Sequence, residues 1–470
     1  MGKVGAQREL DSPKRGIALR PLLIDAGPSG ATLVTSVRNR ARSGSRPGDL
    51  VFPTVTEPRT ICSSPKQAHQ TRLQEASMKL WTLTLLTTAI SLGVLPMPVR
   101  LAAQNASSEI ITFDAPGAIS VAGSFDGTFP SSINNGGTIT GIYIDANTLY
   151  HGFLRGPGGK FITLDAPGAG ASVGTRFRAF PSSVNINTSS ININNRGTIT
   201  GNYVDSNNVS HGFLRGPGGE FLTFDAPGAS SAAGTFNGTF PSSINNGGTI
   251  TGKYIDSKEL IHGFLRSPGG EFLTFDAPGA SSVAAFGYGT FPKSINYVGA
   301  ITGHYTDVHD VIHGFVRSPS GQFTAFEAPG ASTVAASGYG TFPESINDAG
   351  AIAGRYADAN GLYHGFLRSP GGEFTTFDAP GASTAPGGGD GTLPKSINAE
   401  GAITGHYADA QALIHGFVRS PSGKLTTFDA PGPTGGAGWG IFPESINEAG
   451  AITGHYTDAV GMNHGFLRIP

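Results

Sequence analysis

Most of the chain alternates short apolar segments with turn residues in a fixed order. In residues 292–330, the segment AITGHYTD places Ile301, Gly303 and Tyr305 on one face at a period of two, as a β-strand does. The turn sequences YVG, VHD and PSG separate this segment from PKSIN, VIHGFVR and QFTAFEAPG. The pattern predicts four short strands per unit, and apolar residues at both parities indicate that each small sheet is covered on both faces.

The unit repeats along the chain, and its clearest marker is the tripeptide HGF. The intervals between successive copies are 60, 51, 51, 51, 51 and 49 residues, and the internal stutter SSVNINTSSININN explains the longest. Self-similarity of this length is typical of blades or stacked units. The tripeptide starts at His151, His211, His262, His313, His364, His415 and His464.

The two ends of the repeat region are incomplete in complementary ways. The region starts with a lone fourth strand, IITFDAPGA from Ile110, and stops with a lone third strand in HGFLRIP. Pairing Ile110–Ala115 with His464–Arg468 would complete one sheet from both ends and leave no open edge between them. The sequence thus predicts an all-β fold over 110–470, a seven-bladed β-propeller of four-stranded blades closed by its N-terminal strand. An open solenoid is the alternative, although it needs no complementary ends and usually carries atypical capping repeats.

The repeat resembles the HAF-type extracellular repeats of secreted and surface proteins of bacteria. The resemblance rests on the pattern IN-x-x-G-x-I-x-G-x-Y-x-D, on HGF and on F-x-T-F-D-A-P-G-A, and it covers roughly 110–470. It implies an exported repeat protein. It offers no catalytic residue that can be transferred to this chain.

Composition and charge narrow the function classes. The 470 residues include 70 Gly and 32 Pro, yet aliphatic and aromatic residues recur throughout, which favours a turn-rich β protein over disorder. Residues 104–470 carry 17 Lys/Arg against 27 Asp/Glu, so a basic nucleic-acid footprint is not expected. The single cysteine, Cys62, lies upstream of the repeats, which excludes disulfides and thiolate metal sites there.

The N-terminal quarter divides into two segments. Residues 1–77 are rich in Arg, Ser and Pro without periodicity, and we interpret them as a disordered leader or a mis-assigned start of translation. Residues 78–103 have one Lys, an uncharged stretch from Leu80 to Val99 and small residues at Ala102 and Ala103, which is typical of a secretory signal peptide. A membrane anchor is the alternative, but Pro96 and Pro98 would interrupt a spanning helix.

The repeated His and Asp residues invite a catalytic interpretation. Multiplicity favours a structural one, because a catalytic group is needed once whereas a scaffold group is needed in every unit. We therefore expect His262, Tyr254, Asp256, Asp276 and Arg266, with their equivalents, to hydrogen-bond strands and neighbouring blades together. No catalytic residue, metal site or cofactor is predicted, because the Asp turns lack the alternating acids of a calcium loop and GPGGK lacks the spacing of a phosphate loop.

Specific binding, if present, should use positions at which the copies differ. The segment after APGA varies most, and it is expected on the same face as the connection after Y-x-D, where loops of a rigid scaffold carry binding sites. Aromatic, acidic and amide groups there would suit a sugar or a peptide, although the aromatic rings would also serve to fill gaps between blades. The ligand-binding candidates at one equivalent position are Asp126, Arg178, Asn237, Tyr288, Tyr339, Asp390 and Trp439.

These observations favour a secreted or cell-surface interaction module, with a periplasmic location as a variant. The expected partner is a glycan or an extracellular protein, with no nucleic acid, a monomeric state, and membrane contact only through an uncleaved N-terminal segment. One alternative is a carbohydrate-active hydrolase or lyase, in which Asp126 and Asp390 would converge to within about 10 Å across the channel mouth. The other is an envelope structural protein without a ligand.

Overall fold

The computed structural model describes residues 108–121, 123, 126–170, 191–234, 237–283, 287–335, 339–385, 391–432 and 436–470. Within these ranges the regular structure is entirely β, in seven units of four strands. In chain order, β1 is Glu109–Phe113, and the first unit is β2 (Thr128–Ile133), β3 (Ile139–Ile144), β4 (Tyr150–Arg155) and β5 (Phe161–Leu164). The second is β6 (Asn192–Ile193), β7 (Ile199–Val204), β8 (Ser210–Arg215) and β9 (Phe221–Phe224). The third is β10 (Thr239–Ile244), β11 (Ile250–Ile255), β12 (Ile261–Arg266) and β13 (Phe272–Phe275).

The remaining strands continue the same order. The fourth unit is β14 (Gly289–Ile295), β15 (Ile301–Thr306), β16 (Ile312–Arg317) and β17 (Phe323–Phe326). The fifth is β18 (Thr341–Ile346), β19 (Ile352–Ala357), β20 (Tyr363–Arg368) and β21 (Phe374–Phe377). The sixth is β22 (Thr392–Ile397), β23 (Ile403–Ala408), β24 (Ile414–Arg419) and β25 (Leu425–Phe428), and the last is β26 (Ile441–Ile446), β27 (Ile452–Thr457) and β28 (Asn463–Ile469) with β1.

Each unit is an antiparallel meander in which sequence neighbours pair. In six of the seven units the first strand contains a β-bulge at the residue after its proline, as between Pro292 and Ser294. Proline lacks a backbone N–H, so a bulge is where a paired strand tolerates it. The repeated FP dipeptide therefore fixes the local bend of the first strand.

The last sheet is built from both ends of the described chain. The N-terminal strand β1 pairs antiparallel with β28, with Glu109 opposite Ile469 and Phe113 opposite Gly465. The pairing expected between the lone fourth strand and the lone third strand is thus present. A side-chain contact reinforces it, because His464 Nδ1 lies 3.0 Å from Asp114 Oδ1.

The first strands of neighbouring sheets contact one another in the order β2, β6, β10, β14, β18, β22, β26 and then β2 again. A chain of hydrogen bonds follows the same order, since one asparagine side chain per sheet donates from Nδ2 to the carbonyl oxygen of its counterpart in the next sheet, at 3.0–3.2 Å. The last donor, Asn447, bonds the carbonyl of Asn134, where the series begins. The seven are Asn134, Asn194, Asn245, Asn296, Asn347, Asn398 and Asn447.

The apolar core lies between sheets. The Phe of HGF and the first Ile of the second strand, such as Phe264 and Ile250, have no exposed surface, and they pack against Phe224 on the fourth strand of the preceding sheet. The same arrangement recurs at the other seams between sheets. Each sheet therefore buries both faces, which a single four-stranded sheet cannot do alone.

A glycine just before the first strand lets neighbouring sheets approach at the seam. Gly340 has φ +142 and forms a parallel bridge with Ile312 of the preceding sheet. A Cβ at this position would overlap the carbonyl oxygen of Ile312, so both the conformation and the space require glycine. Equivalent glycines with positive φ stand at Gly127, Gly238, Gly289, Gly391 and Gly440.

Candidate functional site

The connections between strands lie at two opposite ends of the sheets. We call loop face the end that carries the connections from each fourth strand to the next sheet and the turns between second and third strands. These two sets of connections touch, as where Gly123 N donates to the carbonyl of Val460 and Gly234 N to that of Asn207. The opposite end, the turn face, carries the asparagine turns and the Pro-Gly turns. The shared placement of the two loop-face connections agrees with the sequence prediction.

The repeated histidines lie at the loop face between two carboxylates of their own sheet. His262 Nδ1 is 3.0 Å from Asp276 Oδ1, its Nε2 is 3.6 Å from Asp256 Oδ2, and its ring stacks on Tyr254 at 4.9 Å. Asp256 Oδ1 also accepts the backbone N–H of Leu260 at 2.9 Å, which holds the turn. The same histidine and two carboxylates recur in all seven sheets.

These contacts set the charge of the histidines. The hydrogen bond to Asp276 raises the pKa of His262 above 6.5, against the opposing effect of burial, and Glu327 does the same for His313. The pKa of Asp256 lies below 3.8, because backbone N–H donors and His262 outweigh its desolvation. The carboxylate contacts of His262 and His313 are therefore ion pairs within one sheet. All seven His–carboxylate groups tie strands of one sheet rather than neighbouring sheets.

The repeated arginines supply the contact between sheets. The guanidinium carbon of Arg266 lies 4.9 Å from the ring centroid of Phe224 in the preceding sheet, and its Nη1 donates to the carbonyl of Ser267. Arg317 lies over Phe275 in the same way. Such cation–π contacts contribute about 0.5–2 kcal/mol each. The repeated polar residues are thus engaged in the scaffold, as multiplicity predicts.

The structure places five of the seven binding candidates at seams on the loop face, one per sheet. Each stands directly before a seam glycine, and its backbone carbonyl accepts the N–H of the first residue of the preceding sheet's third strand, as Tyr339 does from Ile312 at 3.0 Å. They lie at different seams and do not converge on one point. The five are Asp126, Asn237, Tyr288, Tyr339 and Trp439, whereas Arg178 and Asp390 lie outside the described residues.

The environments of these five side chains differ. Asn237 is buried, with 6% of its surface exposed, whereas Asp126 and the three aromatic residues are half-buried. The Tyr339 ring lies against Gly361 and the Trp439 ring against Gly461, each in the turn between second and third strands of the same sheet. The aromatic rings therefore fill part of the seam while keeping another part accessible at the loop face.

Apolar side chains surround these positions. Val121, Val283 and Val334 follow the APGA segments of three sheets, and Val460 lies in a turn beside Gly123; all four are more than half exposed. Four exposed valines at one face of a β-rich protein form an apolar rim. A ligand that covers the aromatic rings would also cover this rim.

The structure adds a second region that the sequence analysis did not single out. Unrepeated charged and imidazole side chains occupy two positions, the residue after proline on the first strand and the fourth residue of the second strand. We call this set the inner cluster. Four of its members stand on the first strands, and these strands surround a common axial space. Its members are Lys253, Lys293, His304, Glu344, Arg355, Lys395, His406, Glu444 and His455.

Ion pairs link the inner cluster across sheets. Lys293 Nζ lies 3.8 Å from Glu344 Oε2 in the next sheet, and Glu344 Oε1 accepts a hydrogen bond from Arg355 Nη1. Lys395 Nζ lies 3.7 Å from Glu444 Oε2. Only 12% of the Glu344 side chain is exposed, so its pairs form in a weakly screened environment. The series Lys–Glu–Lys–Glu thus spans four consecutive sheets.

The second-strand members lie between phenylalanines of adjacent sheets. The His304 ring stacks on Phe291 of its own sheet at 4.7 Å and meets the edge of Phe342 in the next sheet at 5.5 Å. His455 is held in the same way by Phe442 at 4.7 Å and Phe129 at 5.1 Å. The Nδ1 atoms of His304 and of its counterpart in the sixth sheet are buried, with no hydrogen-bond partner in the part of the chain that the structure describes. These imidazoles are therefore held by packing rather than by polar contacts.

Burial shifts the ionisation of the inner cluster. Desolvation, with the nearby charge of Lys395, lowers the pKa of His455 to about 3, and desolvation with Lys293 lowers that of Lys253 to about 8. Burial alone would raise the pKa of Glu344. Lys293 and neighbouring cations outweigh this desolvation and lower the pKa to about 2. The cluster accordingly holds neutral histidines and an ionised Glu344 at neutral pH.

A signal for this cluster is present in the sequence. The residue after the FP or LP dipeptide reads Ser131, Ser242, Lys293, Glu344, Lys395 and Glu444, an alternation of charge at repeat spacing in four successive units. Because strand residues that alternate with apolar ones are normally solvent-exposed, such variation is easily assigned to the surface. The closed order of first strands turns that position inward.

At the turn face, the axial space opens into a cavity of roughly 170 Å³ bounded by residues of all seven sheets. Its lining is formed mostly by the ends of the first strands and the asparagine turns, with Asp348 and Glu448 among them. Asp348 Oδ1 accepts the backbone N–H of Tyr297, and Glu448 Oε2 accepts that of Ala399, so these acids are also engaged between sheets. Within the described ranges, no group of three or more His, Cys or acidic residues is arranged to hold a metal ion.

The segment expected to be a signal peptide or anchor, 78–103, lies outside the described residues, as do 1–77. In the part of the chain that the structure describes, no helix is long and apolar enough to cross a membrane.

Comparison with protein-family models gives no match, and comparison with curated proteins gives none either. Among solved structures, the chain is similar to the fucose-binding lectin of Aleuria aurantia, a six-bladed β-propeller, with 13% identity, TM-score 0.37, and coverage of 68% of this chain and 94% of that one. It is also similar to AofleA from Arthrobotrys oligospora (11% identity, TM-score 0.38, 68% and 90%) and to puromycin hydrolase (13%, TM-score 0.44, 73% and 51%). Similarity at these identities and TM-scores carries no argument about ligand or activity.

Proposed function

We propose that residues 110–470 form a seven-bladed β-propeller that is exported from the cell and binds a glycan on its loop face. The seven four-stranded units, two of which are joined by the parallel bridge between Ile261 and Gly289, support the propeller, as do the pairing of β1 with β28 and the asparagine series that returns to Asn134. Export is supported by the apolar segment 78–103 and by the resemblance to HAF-type repeats.

One observation carries the binding proposal. At the loop face the repeated His, Asp and Tyr residues are engaged within each sheet, whereas the seam position before the glycine presents different side chains from sheet to sheet. Half-exposed Tyr288, Tyr339 and Trp439 supply flat apolar surface of the kind on which a sugar ring packs. Asp126 supplies a carboxylate at the equivalent place in the first sheet. Because these positions lie at separate seams, we expect several shallow sites that bind independently, rather than one deep pocket.

A glycan array followed by calorimetry with the best ligand tests the proposal. Tyr288→Ala and Trp439→Ala should each weaken binding at its own seam by about tenfold, roughly the loss of one aromatic contact of 1–1.5 kcal/mol, and the number of sites measured by calorimetry should fall. Tyr297→Ala is the matched control, because Tyr297 is a tyrosine at the turn face with 59% of its surface exposed. An unchanged affinity and number of sites in both loop-face variants, or an equal loss in the control, would contradict the assignment to this face.

Export has its own test. Expression of the full chain in a bacterial host, followed by N-terminal sequencing of the protein outside the cytoplasm, should give a mature end near Ala103. Retention of the full chain in the cytoplasm would contradict export without bearing on the loop face.

A further inference from the structure

The inner cluster holds more positive than negative charge. Among the described first and second strands, the unrepeated inner positions carry Lys253, Lys293, Arg355 and Lys395 but only two carboxylates, Glu344 and Glu444. Its three histidines carry no negative charge in either protonation state, and burial keeps them neutral, so the positive excess remains. The corresponding positions of the first three sheets add no acid there, because they include Ser131, Ile142, Asn202 and Ser242.

The excess is localised at Lys253. No carboxylate of the described residues lies within ion-pair distance of its ammonium group, whose neighbours are Phe291 at 5.1 Å and Phe240 at 5.7 Å. The charge that acts on its pKa is that of another cation, Lys293, which lowers the pKa together with burial. Desolvation of an ammonium group without a nearby carboxylate has an unfavourable free energy. An anion bound from the solvent would offset this cost.

The surrounding polar atoms are also incompletely satisfied. His406 has 8% of its surface exposed, and its Nδ1 has no hydrogen-bond partner among the described residues; Arg355 Nε and His304 Nδ1 are likewise buried without one there. Solvent nevertheless reaches the cluster, because 23% of the Lys293 side chain and 27% of the Lys395 side chain are exposed. Since these lysines stand on first strands, the space that exposes them is the one those strands surround. A small ion can therefore enter along the axis.

We propose that the inner cluster is a binding site for an oxyanion group, a phosphate or a carboxylate, held between Lys253 and Lys293 inside the ring of first strands. Lys253 supplies the unpaired charge. Lys293 adds a second cation that Glu344 only partly neutralises, because Arg355 shares the same carboxylate. The site is separate from the loop face, so the result of the glycan-binding experiment does not affect this proposal.

Equilibrium dialysis of the folded protein with radiolabelled sulfate, at constant ionic strength near neutral pH, tests this site. We expect saturable binding of one sulfate per chain, at least tenfold weaker in Lys253→Met and retained in Lys253→Arg. Because Lys253 has no carboxylate partner, the Met variant should remain folded, which circular dichroism and a thermal melt verify. Lys258→Met is the matched control, since Lys258 lies in the same sheet on an exposed turn.

Competition then separates the two sources of the oxyanion. Displacement of sulfate by inorganic phosphate but not by acetate would assign a phosphate group, and displacement by acetate a carboxylate. The proposal is overturned by absence of saturable sulfate binding, by equal binding in Lys253→Met and the unchanged protein, by an equal loss in Lys258→Met, or by displacement with neither competitor.

Discussion

The seven histidines of the HGF motif and the three histidines of the inner cluster are the same side chain in opposite situations. His262 lies between two carboxylates at the loop face, which raise its pKa, whereas His455 lies between two phenylalanines near the axis, and burial lowers its pKa to about 3. The first group is repeated in every sheet and the second is not. The difference shows that the surroundings of a histidine set its charge: carboxylates of its own sheet favour the charged imidazole, whereas burial between phenylalanine rings favours the neutral one.

The largest effect should come from removing the carboxylate that joins the inner cations. Glu344→Gln leaves Lys293 and Arg355 without their shared anion, so we expect a loss of about 3 kcal/mol in the free energy of unfolding. Urea denaturation measures it. The exposed Glu400→Gln is the control and should change stability by less than about 0.5 kcal/mol. Equal, small effects of both variants would show that the inner ion pairs are as weak as surface ones.

Acid should destabilise the folded protein through the inner histidines. The folded pKa of His455 lies below the ordinary 6.5, so the unfolded chain binds more protons below that pH and the folded state loses stability as pH falls. The charge of Lys395 and the rings of Phe442 and Phe129 surround it. His455→Phe should therefore gain about 2 kcal/mol relative to the unchanged protein between pH 7 and pH 5. A stability difference that stays constant with pH would contradict a buried neutral imidazole.

The repeated histidines should show the reverse dependence. Because its folded pKa is raised, His262 contributes stability that is fully present below pH 6.5 and is lost as pH rises through the folded pKa. We expect His262→Phe to cost about 1.5 kcal/mol at pH 6 and less at pH 9, as a lost hydrogen bond to a charged group would. Chemical denaturation at both pH values measures the change. A cost that grows with pH would mean that the Asp276 pair is not ionic.

The smallest effect is expected at His406. Its Nδ1 makes no hydrogen bond, and its ring meets the edge of Phe442 at 5.3 Å, so His406→Phe removes no described polar contact. The change in unfolding free energy at pH 7 should stay within about 0.5 kcal/mol. The comparison variant is His262→Phe, which makes the same substitution at a repeated histidine with two carboxylate partners. A loss at His406 as large as at His262 would reveal a polar role for the inner histidine.

Much of the strand pattern was predictable from the sequence, because the repeats restate each strand seven times. The turn signals around PKSIN, AITGHYTD and VIHGFVR bound strands that the structure places at β14, β15 and β16, and the incomplete ends indicated the pairing of β1 with β28. The candidate seam positions also follow from counting strands. Their half-buried state does not, because it depends on glycines such as Gly361 in turns of the same sheet.

The inner cluster could not be placed by periodicity alone. Lys293 and His304 stand at positions that alternate with buried residues, and an ordinary two-faced strand exposes such positions to solvent. Only the closed order of the first strands turns Lys293 toward the axis, and only the next sheet's Phe342 covers His304. The asparagine series is a similar case. The sequence shows an asparagine at the same position of each repeat, but it does not show that Asn447 donates a hydrogen bond to the carbonyl of Asn134.

Histidine side-chain NMR across a pH titration tests the contrast between the two groups most directly. We expect His262 and His313 to titrate above pH 6.5, and His304, His406 and His455 to remain neutral well below it, with His455 titrating at about 3 if the fold persists. Single His→Phe variants assign the signals. A single cluster of midpoints near 6.5 for both groups would contradict the account, because it would mean that the inner histidines are solvated and the outer ones unpaired.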